Sequence, residues 1–465
     1  MTRIVIIGGG PAGYEAALVA ASLGAEVTVL DPEGMGGACV LYDCVPSKTL
    51  IATSDRLTAL RDAPQVGVST AGRVDVDLAA VNARVKDLAA QQSADIAGRL
   101  AREGVSVVAG RGRFAAEQPG RTFAVEVLVR TDEVTDTLVA DVVLVATGAV
   151  PRELAGSPTD GERILSWREL YDLKELPEHL VVIGSGVTGA EFASGYCELG
   201  VPVTLVSSRD RVLPGEDPDA AEVIEKVFTA SGGTLVKAAR AAAVRPVEAG
   251  IEVDLVDGRT VSGSHALICV GSVPNTDGLG LEHVGLPLSE RGYLEVDRVS
   301  RTSVPGVYAA GDCTGVLPLA SVAAMQGRIA VWHALGEAVT PIRLRTVAAN
   351  VFTHPEIATV GFGAEPDTSV RVRTVTLPLA GNARAKMARR TEGFVKLYCR
   401  EETGQVTGGV VVAPEASELI MPIALAVQRR LTVDDLASTF TVYPSLTGSV
   451  AEAARRLMHR GDLDG

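Results

Sequence analysis

The chain is poor in several things. Only 6 of its 465 residues are cysteine, which rules out a disulfide-stapled scaffold. Basic residues number 43 against 57 acidic ones, and the net charge of −14 excludes a non-specific nucleic-acid binder, since phosphate contacts need clustered Lys and Arg. No run of ~18 apolar residues is present to span a bilayer; the best candidates are broken at Asp141 in one case and at Glu415 and Glu418 in the other. The first residues pass straight from Met1-Thr2-Arg3 into Ile4–Ile7 and glycines, without the longer apolar core and small-residue cleavage site of a secretory signal. A soluble, cytoplasmic protein is expected. No second Cys or His cluster completes a metal-ligand set around Cys39 and Cys44, so no metal is expected. Cys197, Cys269, Cys313 and Cys399 are scattered and read as core packing.

What is present is globular: 47% hydrophobic and 22% charged residues, in a length suited to two to four domains. The N-terminus reads strand, glycine turn, helix, strand. Ile4–Ile7 is a continuous apolar run, Gly8-Gly9-Gly10-Pro11-Ala12-Gly13 turns, Tyr14–Leu23 is helical, and Ala25–Leu30 ends in Asp31. Gly8 permits the bend, Gly10 leaves room for a pyrophosphate, and Gly13 lets the helix approach the strand. Phosphates would sit at the helix N-terminus, and Asp31 would accept from an adenosine ribose. A helix is predicted from about Val76 to Arg102, with Leu78, Val81, Val85 and Leu88 on its apolar face. Strands are expected near 105–108, 122–129 and 142–145.

The pattern restarts roughly 175 residues later. Leu180–Ile183 is a strand, Gly184-x-Gly186-x-x-Gly189 the turn, and Val203–Val206 the second strand. Two copies of one unit imply two dinucleotides. The second strand runs into Ser207-Ser208-Arg209-Asp210-Arg211, with no carboxylate where Asp31 stands in the first copy. An acid there would repel a 2′-phosphate, whereas Ser207 and Arg209 can receive one, so NADPH is the expected coenzyme and NADH the alternative. Solvated surface charge is the competing reading of Arg209 and Arg211. The unit closes around Gly271–Asn275. Beyond about 345, strands such as 394–398 and a helix over 417–429 indicate a separate α+β domain. Cys39 and Cys44, with four residues between them on a helical segment, can reach disulfide distance; two buried inert thiols are the other reading.

The sequence resembles the flavoprotein disulfide reductases, which include lipoamide dehydrogenase and glutathione reductase, over essentially its whole length. Gly37-Ala38-Cys39 through Cys44-Val45-Pro46-Ser47-Lys48 resembles their redox-active motif, and Ala146-Thr147-Gly148 the turn leaving the first domain. Gly306–Asp312, containing Gly311, resembles the second FAD motif, whose Asp meets the ribitol and phosphate region. Leu319-Ala320 through Gln326-Gly327 resembles the helix covering the flavin, and Phe352–Ala358 the start of the dimer-interface domain. The resemblance implies an α/β protein with two Rossmann-like dinucleotide-binding domains plus a C-terminal α+β dimerisation domain. It divides the chain into an FAD-binding domain (1–150 and 275–345), an NAD(P)H-binding domain (151–274) and a dimer-interface domain (346–465), assembled as a homodimer. It also implies that Lys48 pairs with Glu191 beside the flavin N5.

The pattern breaks near the C-terminus. The family places a His there, oriented by a Glu, as the acid/base for thiol chemistry in the partner subunit; here Tyr443 and Gly448 occupy those positions. A phenol is a poor proton acceptor at neutral pH. His459, the one His after His354, lies in a polar tail read as disordered. Hydride transfer to flavin needs neither missing group, while disulfide exchange needs both. The chain looks like the divergent NAD(P)H–quinone reductase subgroup. A disulfide reductase using Cys39 and Cys44, with Tyr443 or water in place of the base, is the alternative, and a flavin-bearing redox sensor a third. Cys39 and Cys44 read either as a structural or vestigial disulfide or as an electron reservoir.

Overall fold

The computed structural model describes every residue except 70, 71, 73, 121, 130–132, 364–370 and 459–465, so the expectation for His459 lies outside the described residues. The chain divides into two compact units. One comprises Met1–Thr53, Ala71–Leu176 and Ile268–Ile342; the other comprises Ser54–Thr70, Pro177–Leu267 and Arg343–Gly465.

The first unit is built on a parallel sheet of five strands, in the order Val307–Ala309, Val142–Val145, Arg3–Ile7, Glu26–Leu30, Ser106–Val108. Its central strands are apolar on both faces because helices cover one side and a second layer the other. Helix α1 (Pro11–Ser22) follows the first strand. Next come α2 (Gly37–Leu41), α3 (Cys44–Asp62), which crosses from one unit into the other, and α4 (Leu78–Arg102). Helix α4 starts where expected, capped by the Asp77 carboxylate accepting from the Ala80 N–H. Its buried stripe differs from the expected one. Leu78, Asn82, Val85 and Ala89 are inside, while Leu88 is exposed. Counting apolar residues misses Asn82, which is buried because its amide donates to the Leu173 carbonyl at 2.8 Å.

In the second unit, Thr234–Val236, Val203–Val206, Leu180–Ile183 and His265–Ile268 lie side by side in that order. Helix α5 (Val187–Glu198) follows the strand Leu180–Ile183, and α6 (Pro218–Ala230) is capped by Asp217. The C-terminal segment forms an antiparallel sheet ordered Ala348–Val351, Glu356–Gly361, Val406–Ala413, Phe394–Arg400, Val372–Pro378. Every residue of Val406–Ala413 is buried, as a central strand covered on both faces requires. The helix expected over 417–429 is two helices, Ala416–Leu419 and Met421–Arg429, because Pro422 starts a new first turn and cannot donate into the old one. No described helix is long and apolar enough to cross a membrane.

Candidate active site

The first glycine turn is held by contacts that leave no choice of residue. Gly8 has φ +110°, and a Cβ there would lie 2.3 Å from the Ala146 carbonyl oxygen. A Cβ on Gly13 would lie 1.9 Å from the Gly8 carbonyl oxygen, so α1 can approach the strand only with glycine there. Gly10 faces open space. Asp31 is buried and accepts three backbone N–H groups, from Gly9 at 2.6 Å, Glu33 at 2.8 Å and Gly34 at 3.0 Å. Its carboxylate therefore organises the turn.

The same turn carries the cysteines. Gly36 donates to the Gly9 carbonyl at 2.8 Å, and Gly37, at φ +56°, sits so close that a Cβ would meet the Gly10 Cα at 2.8 Å. Cys39 and Cys44 do not share one helix, as the sequence suggested. Helix α2 ends at Leu41, Tyr42 leaves the helical region at φ −137°, and α3 begins at Cys44. Arg168 stacks over the Tyr42 ring at 4.4 Å and pairs with Glu33 at 2.8 Å, fixing the break. The two cysteines are half-buried free thiols. A hydrogen bond from the Cys44 thiol favours the Cys39 thiolate, lowering Cys39, while the same bond and burial push Cys44 up. The pair thus gives up one proton readily and holds the second. Lys48 favours thiolate at both, and Asp43, between them in sequence, opposes it.

At the other edge, Thr147 donates to the Asn275 carbonyl at 2.6 Å, and Asn275 returns a bond to the Thr147 carbonyl at 3.1 Å, with Gly148 at φ +69° over open space. Gly271, at φ +100°, likewise faces open space and its carbonyl accepts the Arg152 N–H. Gly311 donates to Gln326 Oε1 at 2.9 Å, which ties the turn at Asp312 to α7 (Ala320–Ala334). A Cβ on Gly327 would lie 2.1 Å from the Ala12 carbonyl oxygen, so α7 also lies against α1. Ala320 is the first residue of α7, whose N-terminus has no side-chain cap. Burial, with the Asp43 charge nearby, pushes the Asp312 carboxyl up to about 6.

The second turn repeats the first in the other unit. Gly184 has φ +108°, Gly186 caps α5 without a side chain and faces open space, and Gly189 is buried in the first turn of α5. Ser207 departs from expectation. It is fully buried, its hydroxyl 2.7 Å from the Ser185 hydroxyl and 3.0 Å from the Arg209 carbonyl, which it serves as donor. It holds the loop together, because a short hydroxyl this close to two backbone turns is used up locally. Arg211 is committed to the Pro214 and Glu216 carbonyls. Arg209 alone of the three is exposed. Glu191 is buried on α5, and its carboxylate accepts the Phe352 N–H at 2.8 Å. Tyr443 is 87% exposed, in the loop that leads to Gly448, the first residue of a helix ending at Leu457.

The model of the pyridine nucleotide-disulphide oxidoreductases matches residues 2–327, and that of their dimerisation domain matches 347–454. The chain belongs to this family. An NAD(P)H dehydrogenase (quinone) of Mycobacterium tuberculosis is 60% identical across the whole chain and 95% of its own length. A dihydrolipoyl dehydrogenase of Geobacillus stearothermophilus is 32% identical over 97% of this chain and 95% of its own. The crystal structure of LpdA from Mycobacterium tuberculosis superposes with a TM-score of 0.94 at 60% identity, covering 99% of this chain and all of that one. The flavoprotein disulfide reductase RclA of Escherichia coli shares the fold at 24% identity, with a TM-score of 0.85 over 98% of this chain and 99% of its own.

This oxidoreductase family uses FAD and NAD(P)H, and the residues fit both. The open space over Gly10 and Gly148, the uncapped α1 N-terminus and the half-buried Asp312 carboxyl, to which no described residue donates, suit an FAD with its pyrophosphate and hydroxyls. Gly186 and α5 repeat the arrangement for the nicotinamide dinucleotide. Reading the sequence assigned no role to Asp43, Arg168, Asn275 or Gln326. Asp43 lay inside the segment resembling the redox-active motif, Asn275 at the close of the second unit and Gln326 in the segment resembling the flavin-covering helix, whereas Arg168 carried no signal.

Proposed function

We propose that this protein is an FAD-dependent NAD(P)H dehydrogenase that reduces quinones or similar small acceptors, working as a homodimer. The observation that carries the reading is the pair Tyr443 and Gly448 standing where the family's disulfide reductases have His and Glu, beside an intact pair of dinucleotide turns. The name of the 60% identical relative, NAD(P)H dehydrogenase (quinone), supports it. Bound FAD supplies a two-electron carrier between the nicotinamide and the acceptor.

The chain's own residues bind and orient. Gly8, Gly10 and Gly13 admit the FAD pyrophosphate to the α1 N-terminus, Asp31 holds the turn and receives the ribose, and Asp312 meets the ribitol side. Thr147, Gly148, Gly311, Ala320, Gly37 and Gly271 complete the walls. Gly184, Gly186 and Gly189 admit the nicotinamide dinucleotide, with Arg209 offering charge to a 2′-phosphate and so favouring NADPH. Lys48 and Glu191 keep charge beside the flavin. A quinone takes two electrons without bond exchange at sulfur and its two protons come from water, so it does not require the missing acid/base, whereas losing that group costs disulfide exchange ~10²–10⁴-fold.

The test is steady-state NADPH oxidation by the purified protein with a naphthoquinone, compared with lipoamide and low-molecular-weight disulfides. Faster turnover with any disulfide overturns the proposal.

A further inference from the structure

Three side chains far apart in sequence converge within the second unit, at the end of α5 opposite that unit's glycine turn. Glu198 is the last residue of α5, Asp55 lies on α3, and His354 lies between the strands Ala348–Val351 and Glu356–Gly361. His354 Nδ1 is 3.5 Å from Asp55 Oδ1 and 3.5 Å from Glu198 Oε1, and one ligand atom from each of the three falls within 4.8 Å of the others. In a tetrahedral site with metal–ligand bonds of ~2.0–2.2 Å, neighbouring ligand atoms stand roughly 3.4 Å apart, so small side-chain rotations suffice.

The surroundings match a ligand set. Glu198 has 10% of its side chain exposed. Its second oxygen, Oε2, accepts the Ser54 hydroxyl at 2.9 Å, leaving Oε1 to face the imidazole. The His354 backbone N–H donates to the Ser194 hydroxyl, one turn earlier on α5, so the same helix carries one ligand and holds another. The group sits at the C-terminal end of α5, where the helix dipole favours a cation. Arg61 already exploits that end by donating to the Glu198 carbonyl, but its charge is directed at the backbone oxygen. Asp55 has 43% of its side chain exposed, which leaves the open side accessible to water as a further ligand.

We infer that Asp55, Glu198 and His354, none of them assigned to flavin or nicotinamide, form a divalent transition-metal site of the zinc class. One imidazole and two carboxylates suit a borderline ion, with affinities following Cu²⁺ above Zn²⁺ and Mn²⁺ weakest. The competing arrangement is an imidazolium bridging the two carboxylates. Both acids would then stay as they are without an ion, and His354 would exclude one.

The experiment uses the flavin-loaded Cys39→Ser/Cys44→Ser protein, which removes the dithiol as a second zinc binder. Zinc chloride is titrated calorimetrically at about pH 8, where an ordinary imidazole is neutral. One equivalent per chain is expected. His354→Gln and Glu198→Gln should abolish it, and Ser54→Ala should weaken it about tenfold by freeing the Glu198 carboxylate. In the same protein loaded with one Cu²⁺, paramagnetic resonance should show nitrogen coupling from a single imidazole. That measurement decides the matter even if a ligand variant does not fold. Absence of stoichiometric zinc binding, equal binding by a folded His354→Gln protein, or a Cu²⁺ signal without nitrogen coupling would each overturn the inference.

Discussion

The Asp31 carboxylate accepts the Gly9 backbone N–H at 2.6 Å, joining the acid at the end of the second strand to the glycine turn at the end of the first. With the Glu33 and Gly34 N–H groups it closes the turn proposed to receive the FAD pyrophosphate. Asp31→Ala leaves three backbone donors, the buried Gly9 N–H among them, without their acceptor, at a cost of about 1.5–3 kcal/mol for hydrogen bonds to a charged group. The expected outcome is a lower flavin-to-protein absorbance ratio after purification and a lower melting temperature. Unchanged flavin content would remove Asp31 from the cofactor site.

Cys44→Ser separates the two uses of the site. If electrons leave the flavin directly for a quinone, the variant keeps most of its NADPH:quinone turnover. If they pass through the Cys39–Cys44 pair, turnover is abolished. Tyr443→His combined with Gly448→Glu should raise lipoamide reduction, since it restores a proton acceptor and the carboxylate that orients it. Stopped-flow and steady-state assays with both acceptors read this out.

The Asp312 carboxyl predicts a pH dependence in the flavin-free protein. Burial, with Asp43 nearby, raises its folded-state pKa to about 6, above that of an ordinary unfolded Asp at ~3.9. The folded state therefore binds the extra proton between those values. Stability is fully present below pH ~4 and is lost as pH rises through about 6. The shift corresponds to roughly 3 kcal/mol. Urea unfolding of the flavin-free protein at several pH values should show this loss, and Asp312→Asn should abolish it.

Lys396 is buried on the strand Phe394–Arg400 and donates to both oxygens of the Asp217 carboxylate at 2.8 Å and to Asp219 at 2.6 Å. Tyr398 adds a bond to Asp217 at 3.2 Å. Lys396→Met leaves a buried carboxylate uncompensated and should destabilise the protein by about 3–5 kcal/mol. Adding Asp217→Asn should recover part of the loss, because the orphaned charge is then gone. Thermal melts of the single and double variants check both statements.

The parts of the site that sequence made legible are those set by local sterics. Gly8, Gly13 and Gly184 are required by a positive φ or a contact of about van der Waals collision, and these demands recur at fixed spacing wherever a strand turns into a helix over a phosphate. Asp31 is legible because it closes the same short unit. The break between α2 and α3 was not legible, since it rests on Arg168 stacking over Tyr42 from a distant part of the chain. Ser207 misled for a similar reason: its residue type suits a phosphate, but its hydroxyl is spent on Ser185 and the Arg209 carbonyl. Lys48 and Glu191 acquired roles only through the resemblance, because a lone charge on a helix looks like any solvated residue.

Sequence alone determined two dinucleotide-binding units and their order; the departure at Tyr443 and Gly448 was legible only against the family it resembles. The two units follow from residue identity at short, fixed spacing, where backbone geometry allows few alternatives. Tertiary structure alone decided which hydroxyls and charges are free to act. It spends Ser207 inside its loop, raises Asp312 by burial, sets Asp43 against the cysteines, and brings Asp55, Glu198 and His354 together. Desolvation and long-range contact belong to the folded chain, and no local pattern encodes them.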